Sequence, residues 1–187
     1  MRKAFKIILA VFAVLIILVV VFGAIFLLDV AAYTATGSQI LNPAGTSIGK
    51  ALVVYDPGLS GAAKGVADKV AGDLQASGHT VTLAGIKSSA ASRTTGYDII
   101  VVGGPVYGDA LTSSVKSYLK ILKPDQGAKV GVFGSGDFTS TPSDVSAVKN
   151  SVSALSSTGN LSNAVVVKIG QKENLNTRAQ EFVSQLT

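Results

Sequence analysis

Residues 50–71 read KALVVYDPGLSGAAKGVADKVA. Positions 51–55 form a short apolar run rich in β-branched residues, which is typical of a strand buried on both faces. The turn-forming residues at 56–61 end that strand. Val66, Val70 and Leu74 then recur every four residues, so this part of the stretch predicts an amphipathic helix. A strand, a glycine-containing turn and a helix form the opening unit of a parallel α/β domain.

The turn at residues 56–61 is also a candidate anion site. It brings free backbone N–H groups and the positive end of a helix dipole to one place, which suits a bound phosphate. A turn that only reverses the chain would use the same residue types, so this segment alone leaves both interpretations open.

The chain beyond residue 71 repeats the alternation of strand and helix. Thr141, Pro142 and Asp144 are a typical helix start, with an N-cap, a proline at the first helical position and an acid in the first turn. Further strands are predicted at 80–84, 98–102, 129–133 and 164–169, helices at 112–122, from 142 onward and at 175–186, and a short helix or loop at 87–96. Residues 50–187 therefore predict the α/β class, with a doubly wound, five-stranded parallel sheet.

The amino-terminal part carries an uncharged run of 22 residues, positions 7–28. A helix of that length, rising about 1.5 Å per residue, spans the roughly 30 Å hydrocarbon core of a bilayer. A cleaved signal peptide has a shorter apolar region of about 7–15 residues. Small residues at 30–32 would accept cleavage, so that alternative stays open, but the length favours one uncleaved transmembrane anchor helix.

The cations around this run predict its orientation. Arg2, Lys3 and Lys6 precede it, and residues 29–49 contain neither Lys nor Arg. Positively charged flanks stay in the cytoplasm, so we expect a cytoplasmic amino terminus at 1–6 and a single-pass membrane protein. Residues 29–49, rich in small and polar residues, then form a linker to a domain on the extracytoplasmic side.

The composition excludes several classes of function. The net charge of the 187 residues is +5, but three of the positive charges lie in the first six residues and no basic block follows, so nucleic-acid binding is unsupported. The absence of Cys excludes disulfides, thiolate metal sites and cysteine nucleophiles. The single histidine, His79, stands without other metal ligands, and we expect it to be an exposed connector residue.

Three glycine-containing loops follow the first, third and fourth predicted strands, at 56–61, 103–109 and 134–139. In an open parallel sheet, ligands bind beyond the carboxyl ends of the strands. Glycine lets the main chain approach a flat ligand closely, and loop N–H and C=O groups can bond its polar edge. Strand-to-helix turns use glycine in any case, but three such loops at one edge favour a ligand site.

Three segments resemble a known family: VVY at 53–55 before its glycine turn, VGGPVYG at 102–108 and VFGSGD at 132–137. They look like the flavin-contacting loops of flavodoxin-like proteins, in the same order and at similar spacing. The resemblance covers residues 50–187. It implies a strand order of 2-1-3-4-5 and flavin mononucleotide (FMN) as cofactor, used for one- or two-electron transfer.

The resemblance also assigns site residues, in three groups, to the phosphate and to the two sides of the isoalloxazine ring. Tyr107 would be the stacking aromatic, and Asp137 near the ring edge would lower the flavin's potential. The phosphate loop departs from the family pattern, because Ser60 is its only hydroxyl. The phosphate group comprises Gly58, Ser60, Gly61 and Ala62; one side of the ring Pro105, Val106, Tyr107 and Gly108; the other side Gly134, Gly136, Asp137 and Phe138.

These observations lead to one hypothesis and one alternative. The hypothesis is a membrane-anchored, flavodoxin-like FMN-binding protein in electron transfer or flavin-dependent reduction, with the lipid bilayer (through residues 7–28) and an unidentified redox protein as partners. No Ser-His-Asp set, metal cluster or acid/base dyad is evident in the sequence, so we assign no catalytic side chain. The alternative is a flavin-free flavodoxin-fold interaction or structural domain tethered to the membrane, which the poor phosphate loop favours.

Overall fold

A computed structural model of the chain describes residues 9, 11–24, 35–107, 110–136, 140–155, 161 and 163–187, with backbone only at 153–155. The chain divides into two compact units, Met1–Tyr33 and Thr34–Thr187. Residues 11–24 of the first unit are helical (α1). Within the described part of the chain, no helix combines the length and the hydropathy needed to cross a bilayer. The predicted span at 7–28 lies partly outside the described residues.

The second unit contains every strand and helix that the sequence predicts for residues 50–187. Residues 87–96 form turns, so the loop interpretation of that piece is confirmed. The capping predictions also hold: Thr141 and Asp144 exchange hydrogen bonds at the start of the fourth helix. The elements are β1 (Ser38–Leu41), β2 (Gly49–Tyr55), α2 (Ala62–Ala76), β3 (His79–Gly85), β4 (Ile99–Tyr107), β5 (Ala110–Leu111), α3 (Ser113–Ile121), β6 (Lys129–Ser135), α4 (Pro142–Leu155), β7 (Val165–Ile169) and α5 (Leu175–Ser184).

The sheet has the order β1-β3-β2-β4-β6-β7, with β5 paired to β4. Its parallel strands β3, β2, β4, β6 and β7 follow the predicted order 2-1-3-4-5 when they alone are numbered along the chain. The predicted number of strands was wrong, because the described residues form a sheet of seven strands. The two additional strands, β1 and β5, pair antiparallel with their neighbours.

Strand β1 lies inside the stretch that we interpreted as linker. Its residues 38–41 pair with residues 81–84 of β3. Ser38, Gln39 and Ile40 are exposed, and only Leu41 packs against the core, so the strand lacks the apolar run that marks a buried one. The second half of the predicted linker is therefore part of the folded unit that begins at Thr34.

Two layers of helices cover the sheet. Alternate residues of each strand face opposite sides, so Val53 packs with α2 and α5, whereas Leu52 and Val54 pack with α3 and α4. These side chains are fully buried, and each contributes about 1.5–3 kcal/mol to folding. The two packed layers hold the carboxyl ends of β2, β4, β6 and β7 at one edge of the sheet.

His79 contradicts its predicted exposure. Only 7 % of it is exposed, and its Nδ1 lies 3.1 Å from the Ser77 hydroxyl. The reason is the short turn at Gly78, whose φ of 98° leads the chain directly from α2 into β3. The ring consequently lies within the packed end of the strand, next to Gly49.

Candidate functional site

The first loop leaves β2 through a turn that Asp56 organises. Its Oδ1 accepts the N–H of Gly58 at 3.1 Å, and Gly58 has a φ of 66°, which favours glycine. Its Oδ2 accepts the hydroxyls of Thr112, at 3.2 Å, and of Ser114. One carboxylate therefore shapes the turn and fastens it to the start of α3.

The first loop ends at the amino terminus of α2. The N-cap residue is Gly61, with a φ of 70°, and it makes no side-chain cap hydrogen bond. A Cβ placed there would meet no atom within 4 Å, so space is open beside the helix end. The Ala62 N–H donates weakly to the Ser60 hydroxyl, at 3.4 Å. First-turn N–H groups have no partner inside a helix, so this uncapped end fits an anionic group such as a phosphate.

The second segment is a strand where the sequence predicted a loop. Strand β4 continues to Tyr107 because β5 pairs with its last residues and extends the hydrogen-bonded ladder. Two side chains of this extension touch the first loop. A Cβ at Gly58 would lie 2.8 Å from Pro105 Cγ and 3.3 Å from Tyr107 Oη. Leu59 N–H donates to Tyr107 Oη at 3.4 Å, and 54 % of Tyr107 remains exposed.

The third segment follows β6, which extends to Ser135, two residues beyond its predicted end. It contacts the second segment through Val106. A Cβ at Gly134 would lie 2.5 Å from Val106 Cγ2, and one at Gly136 would lie 2.7 Å from the Val106 carbonyl oxygen. Residues with a side chain at these two positions would push the strands apart. The first, second and third segments therefore meet at one edge, as the sequence predicted.

Comparison with known proteins bears on the fold. No protein-family profile and no curated protein sequence matches the chain. A flavodoxin from Streptococcus pneumoniae TIGR4 is 28 % identical, with a TM-score of 0.55 over 73 % of this chain and 96 % of that one. The chain has a flavodoxin-like fold. Two-electron reduced Megasphaera elsdenii flavodoxin matches at 24 % identity and TM-score 0.50, over 71 % of this chain and 94 % of its own. The apo form of an NADH:FMN oxidoreductase is 18 % identical, with a TM-score of 0.54 over 74 % of this chain and 90 % of that one.

The flavodoxin-like domain places the predicted site residues in two contact groups and one helix end. The first-loop residues and Tyr107 are at least partly exposed, whereas Pro105, Val106, Gly134 and Gly136 are buried and offer little surface to a ligand at the sheet edge. The groups are Gly58 with Pro105 and Tyr107; Val106 with Gly134 and Gly136; and Ser60, Gly61 and Ala62 at the start of α2. Gly108, Asp137 and Phe138 lie outside the described residues.

The sequence analysis gave no role to Asp56, and it also missed Glu173, a second carboxylate at this edge of the sheet. Glu173 Oε1 accepts the N–H and the hydroxyl of Ser140, at 3.3 and 2.5 Å, and its Oε2 accepts the Gly170 N–H at 2.8 Å. Partial burial alone would raise the pKa of Glu173, but these hydrogen bonds and the nearby Arg178 outweigh it and hold the pKa below its usual value. The carboxylate fastens Ser140, which follows the third segment in the chain, to the turn after β7.

The sequence carried different signals for the two missed carboxylates. Asp56 precedes Pro and Gly, an arrangement in which the Asp side chain often closes the turn, so its role could have been predicted. Glu173 and Ser140 are 33 residues apart and belong to different loops. No local sequence pattern predicts such a contact.

Proposed function

We propose that the flavodoxin-like domain binds FMN and acts in electron transfer or flavin-dependent reduction. The observation that carries the proposal is the meeting of the three strand ends beside an uncapped helix terminus. The flavodoxin and NADH:FMN oxidoreductase neighbours point to FMN as the cofactor. FMN, when bound, supplies the one- or two-electron chemistry, and the protein supplies binding and orientation.

The phosphate would be held at the start of α2. The backbone N–H groups at Gly61 and Ala62 and the hydroxyl of Ser60 are the donors there. A hydrogen bond to a charged group contributes about 1.5–3 kcal/mol, so two or three main-chain donors would contribute several kcal/mol to holding the phosphate. The Asp56 carboxylate would repel a phosphate, but its oxygens already accept hydrogen bonds from Gly58, Thr112 and Ser114.

Tyr107 would supply the flat surface for the isoalloxazine. It is the large aromatic side chain exposed between the first and second segments, and its hydroxyl contacts the first loop. A tyrosine ring fixed at its far end stacks on a planar ligand at little cost in side-chain entropy.

A second candidate function is a flavin-free interaction or structural domain. The specific observation that favours it is the first loop, where Ser60 is the only hydroxyl and Ala62 and Ala63 begin the helix. Without further hydroxyls, each lost hydrogen bond to the phosphate lowers affinity by roughly tenfold or more.

We also propose that residues 7–28 anchor the protein in a bilayer, with the domain on the extracytoplasmic side. The uncharged 22-residue run and the preceding Arg2, Lys3 and Lys6 support this proposal. Alkaline carbonate extraction of membranes tests the anchor, and protease accessibility in sealed, right-side-out vesicles tests the orientation. Release by carbonate, or a domain protected until the vesicles are opened, would contradict it.

The FMN proposal is tested by titrating the purified full-length protein with FMN. We expect saturable quenching of flavin fluorescence and a shift of the visible absorption bands as the ring leaves water. Riboflavin, which lacks the phosphate, is the matched control and should bind at least tenfold more weakly. An absence of quenching at high micromolar FMN favours the flavin-free alternative.

A further inference from the structure

The helices on the two faces of the sheet carry their charges differently. Helices α2 and α5 cover one face, and each Lys or Arg within them is paired with an acid. These pairs are Lys64 with Asp68, Lys69 with Asp73, and Arg178 with Glu173 and Glu181. Helix α3 lies on the opposite face and contains Lys116 and Lys120 but no Asp or Glu.

Four cations on and beside α3 form no ion pair with any described residue. Lys116 and Lys120 lie on the helix, Lys123 follows it, and Arg93 belongs to the turns at 87–96. Lys116 and Lys120 are four positions apart, a spacing at which two like charges repel each other. The helix dipole favours Lys120 in the last turn, but it does not account for Lys116.

The fold brings Arg93 to the end of α3. The Tyr118 hydroxyl donates to the Ala91 carbonyl oxygen at 2.6 Å, and the Thr94 hydroxyl donates to the Lys123 carbonyl oxygen at 3.2 Å. The turns at 87–96 therefore pack along the helix. The sequence shows no basic block here, because these cations are spread over 31 positions, 93–123.

The neighbouring acids stand at the border of this surface. Asp125 Oδ2 accepts the Gly96 N–H at 2.6 Å, and Asp98 Oδ2 accepts the Lys50 N–H at 2.8 Å. Both carboxylates thus hold backbone groups and neither pairs with a cation of α3. The surface keeps a local excess of positive charge, which attracts an anionic partner.

Ile121 identifies the kind of anionic partner. It stands between Lys120 and Lys123, and 73 % of it is exposed. A nucleic acid would meet the cations but would leave this aliphatic side chain in water. An anionic bilayer offers both charged headgroups and an apolar layer beneath them, and surfaces that lie on bilayers combine cations with apolar residues.

We propose that the α3 patch, defined as Arg93, Lys116, Lys120, Ile121 and Lys123, docks on a bilayer that contains anionic lipids. The cations contact the headgroups and Ile121 enters the boundary of the acyl region. The choice of a bilayer rests on the anchor proposed for residues 7–28, which would hold lipid at high effective concentration for the domain. The docking does not depend on FMN.

The experiment places a reporter at Ile121. The chain contains no Trp, so Ile121→Trp introduces a single indole at an exposed position. The full-length protein is reconstituted into nanodiscs of phosphatidylcholine alone, or of equal parts phosphatidylcholine and phosphatidylglycerol. We expect the indole emission to move to shorter wavelength, and brominated lipid to quench it, in the anionic discs only. At about 1 M NaCl, where the Debye length is about 3 Å, both effects should be lost.

Charge variants of this reporter protein test the cations. Each lysine near an anionic surface strengthens association about fivefold, so removing three should abolish the emission shift and the quenching. The test variant is Lys116→Gln with Lys120→Gln and Lys123→Gln. The matched control lowers the net charge equally at exposed lysines outside α3, Lys50→Gln with Lys149→Gln and Lys172→Gln, and should keep both effects.

A second reporter tests the position of the docking surface. Ile48→Trp, in an otherwise unaltered chain, places the indole before β2 at a residue that is also 73 % exposed. It should emit as an indole in water in both kinds of disc. Thermal unfolding of every variant checks that it folds.

Flotation of the full-length protein with vesicles of the same two compositions separates this inference from the anchor. If the anchor proposal fails, the protein should float with anionic vesicles only, and the three glutamines in the α3 patch should abolish flotation, which supports the patch. Flotation with both compositions, together with unchanged emission from position 121, keeps the anchor and overturns the inference. Equal emission shifts in the test and control variants also overturn it, and an acidic protein is then the partner that fits these charges.

Discussion

The Tyr107 hydroxyl accepts the backbone N–H of Leu59 at 3.4 Å, so one side chain connects the end of β4 to the loop after β2. The two residues are 48 positions apart in the chain. The bond is long and Tyr107 is half exposed, so it adds little to the stability of the fold. Its consequence is orientation, because it holds the aromatic face across the candidate ligand edge.

Tyr107→Ala should weaken FMN binding by about 1–3 kcal/mol, by analogy with base stacking on aromatic side chains. Tyr107→Phe keeps the ring and loses only the long hydrogen bond to Leu59, so it should weaken FMN binding by at most about 0.5 kcal/mol. Flavin fluorescence titration measures both. Tyr97→Phe is the control, because its hydroxyl bonds Thr82 within the sheet, away from the three segments. Equal affinities of Tyr107→Ala and the unaltered protein would remove Tyr107 from the site.

Asp56→Ala should lower the free energy of unfolding by about 1–3 kcal/mol, because it leaves donors of Gly58, Thr112 and Ser114 without an acceptor. FMN affinity should fall with it, since the phosphate loop loses its fixed turn. Urea unfolding and FMN titration give the two values. Asp68→Ala removes an exposed i,i+4 pair with Lys64, and we expect a change below about 0.5 kcal/mol. Similar losses for both variants would show that Asp56 is an ordinary surface acid.

The elements and contacts of this domain differ in how far the sequence predicts them. Strand β2 and helix α2 are encoded locally, because burial of Val53, Val70 and Leu74 requires the periodic apolar residues that the sequence displays. Strand β1 could not be predicted in this way, because most of its side chains are exposed. Its strand conformation depends on pairing with β3, which is distant in the sequence. The same holds for the site. Glycine positions mark the three segments, whereas the contact between Glu173 and Ser140 exists only after the chain has folded.

Glu173 should make stability dependent on pH in the acid range. Its folded pKa lies below its usual value, so the ionised form is favoured by folding. The stabilisation is fully present above the unfolded pKa of about 4.3 and is lost as pH falls through the lower folded pKa. Glu173→Gln should therefore flatten the decline in urea midpoint between about pH 5 and 3. Glu181→Gln, which alters an exposed partner of the same Arg178, is the control. Parallel pH curves for Glu173→Gln and the unaltered protein would contradict this role.

Gly136→Ala should test the contact between the second and third segments. The added Cβ would lie 2.7 Å from the Val106 carbonyl oxygen, which is backbone and cannot rotate away, so the third segment must shift. Overpacking of this kind costs about 1–3 kcal/mol of stability. If the segment also flanks the flavin, FMN affinity should fall. Gly72→Ala makes the same chemical change in α2, where the Cβ meets no atom within 4 Å, and should stabilise the protein by about 0.5–1 kcal/mol. Opposite signs for the two variants in urea unfolding are the expected result, and a stabilising Gly136→Ala would mean that the third segment lies farther from β4.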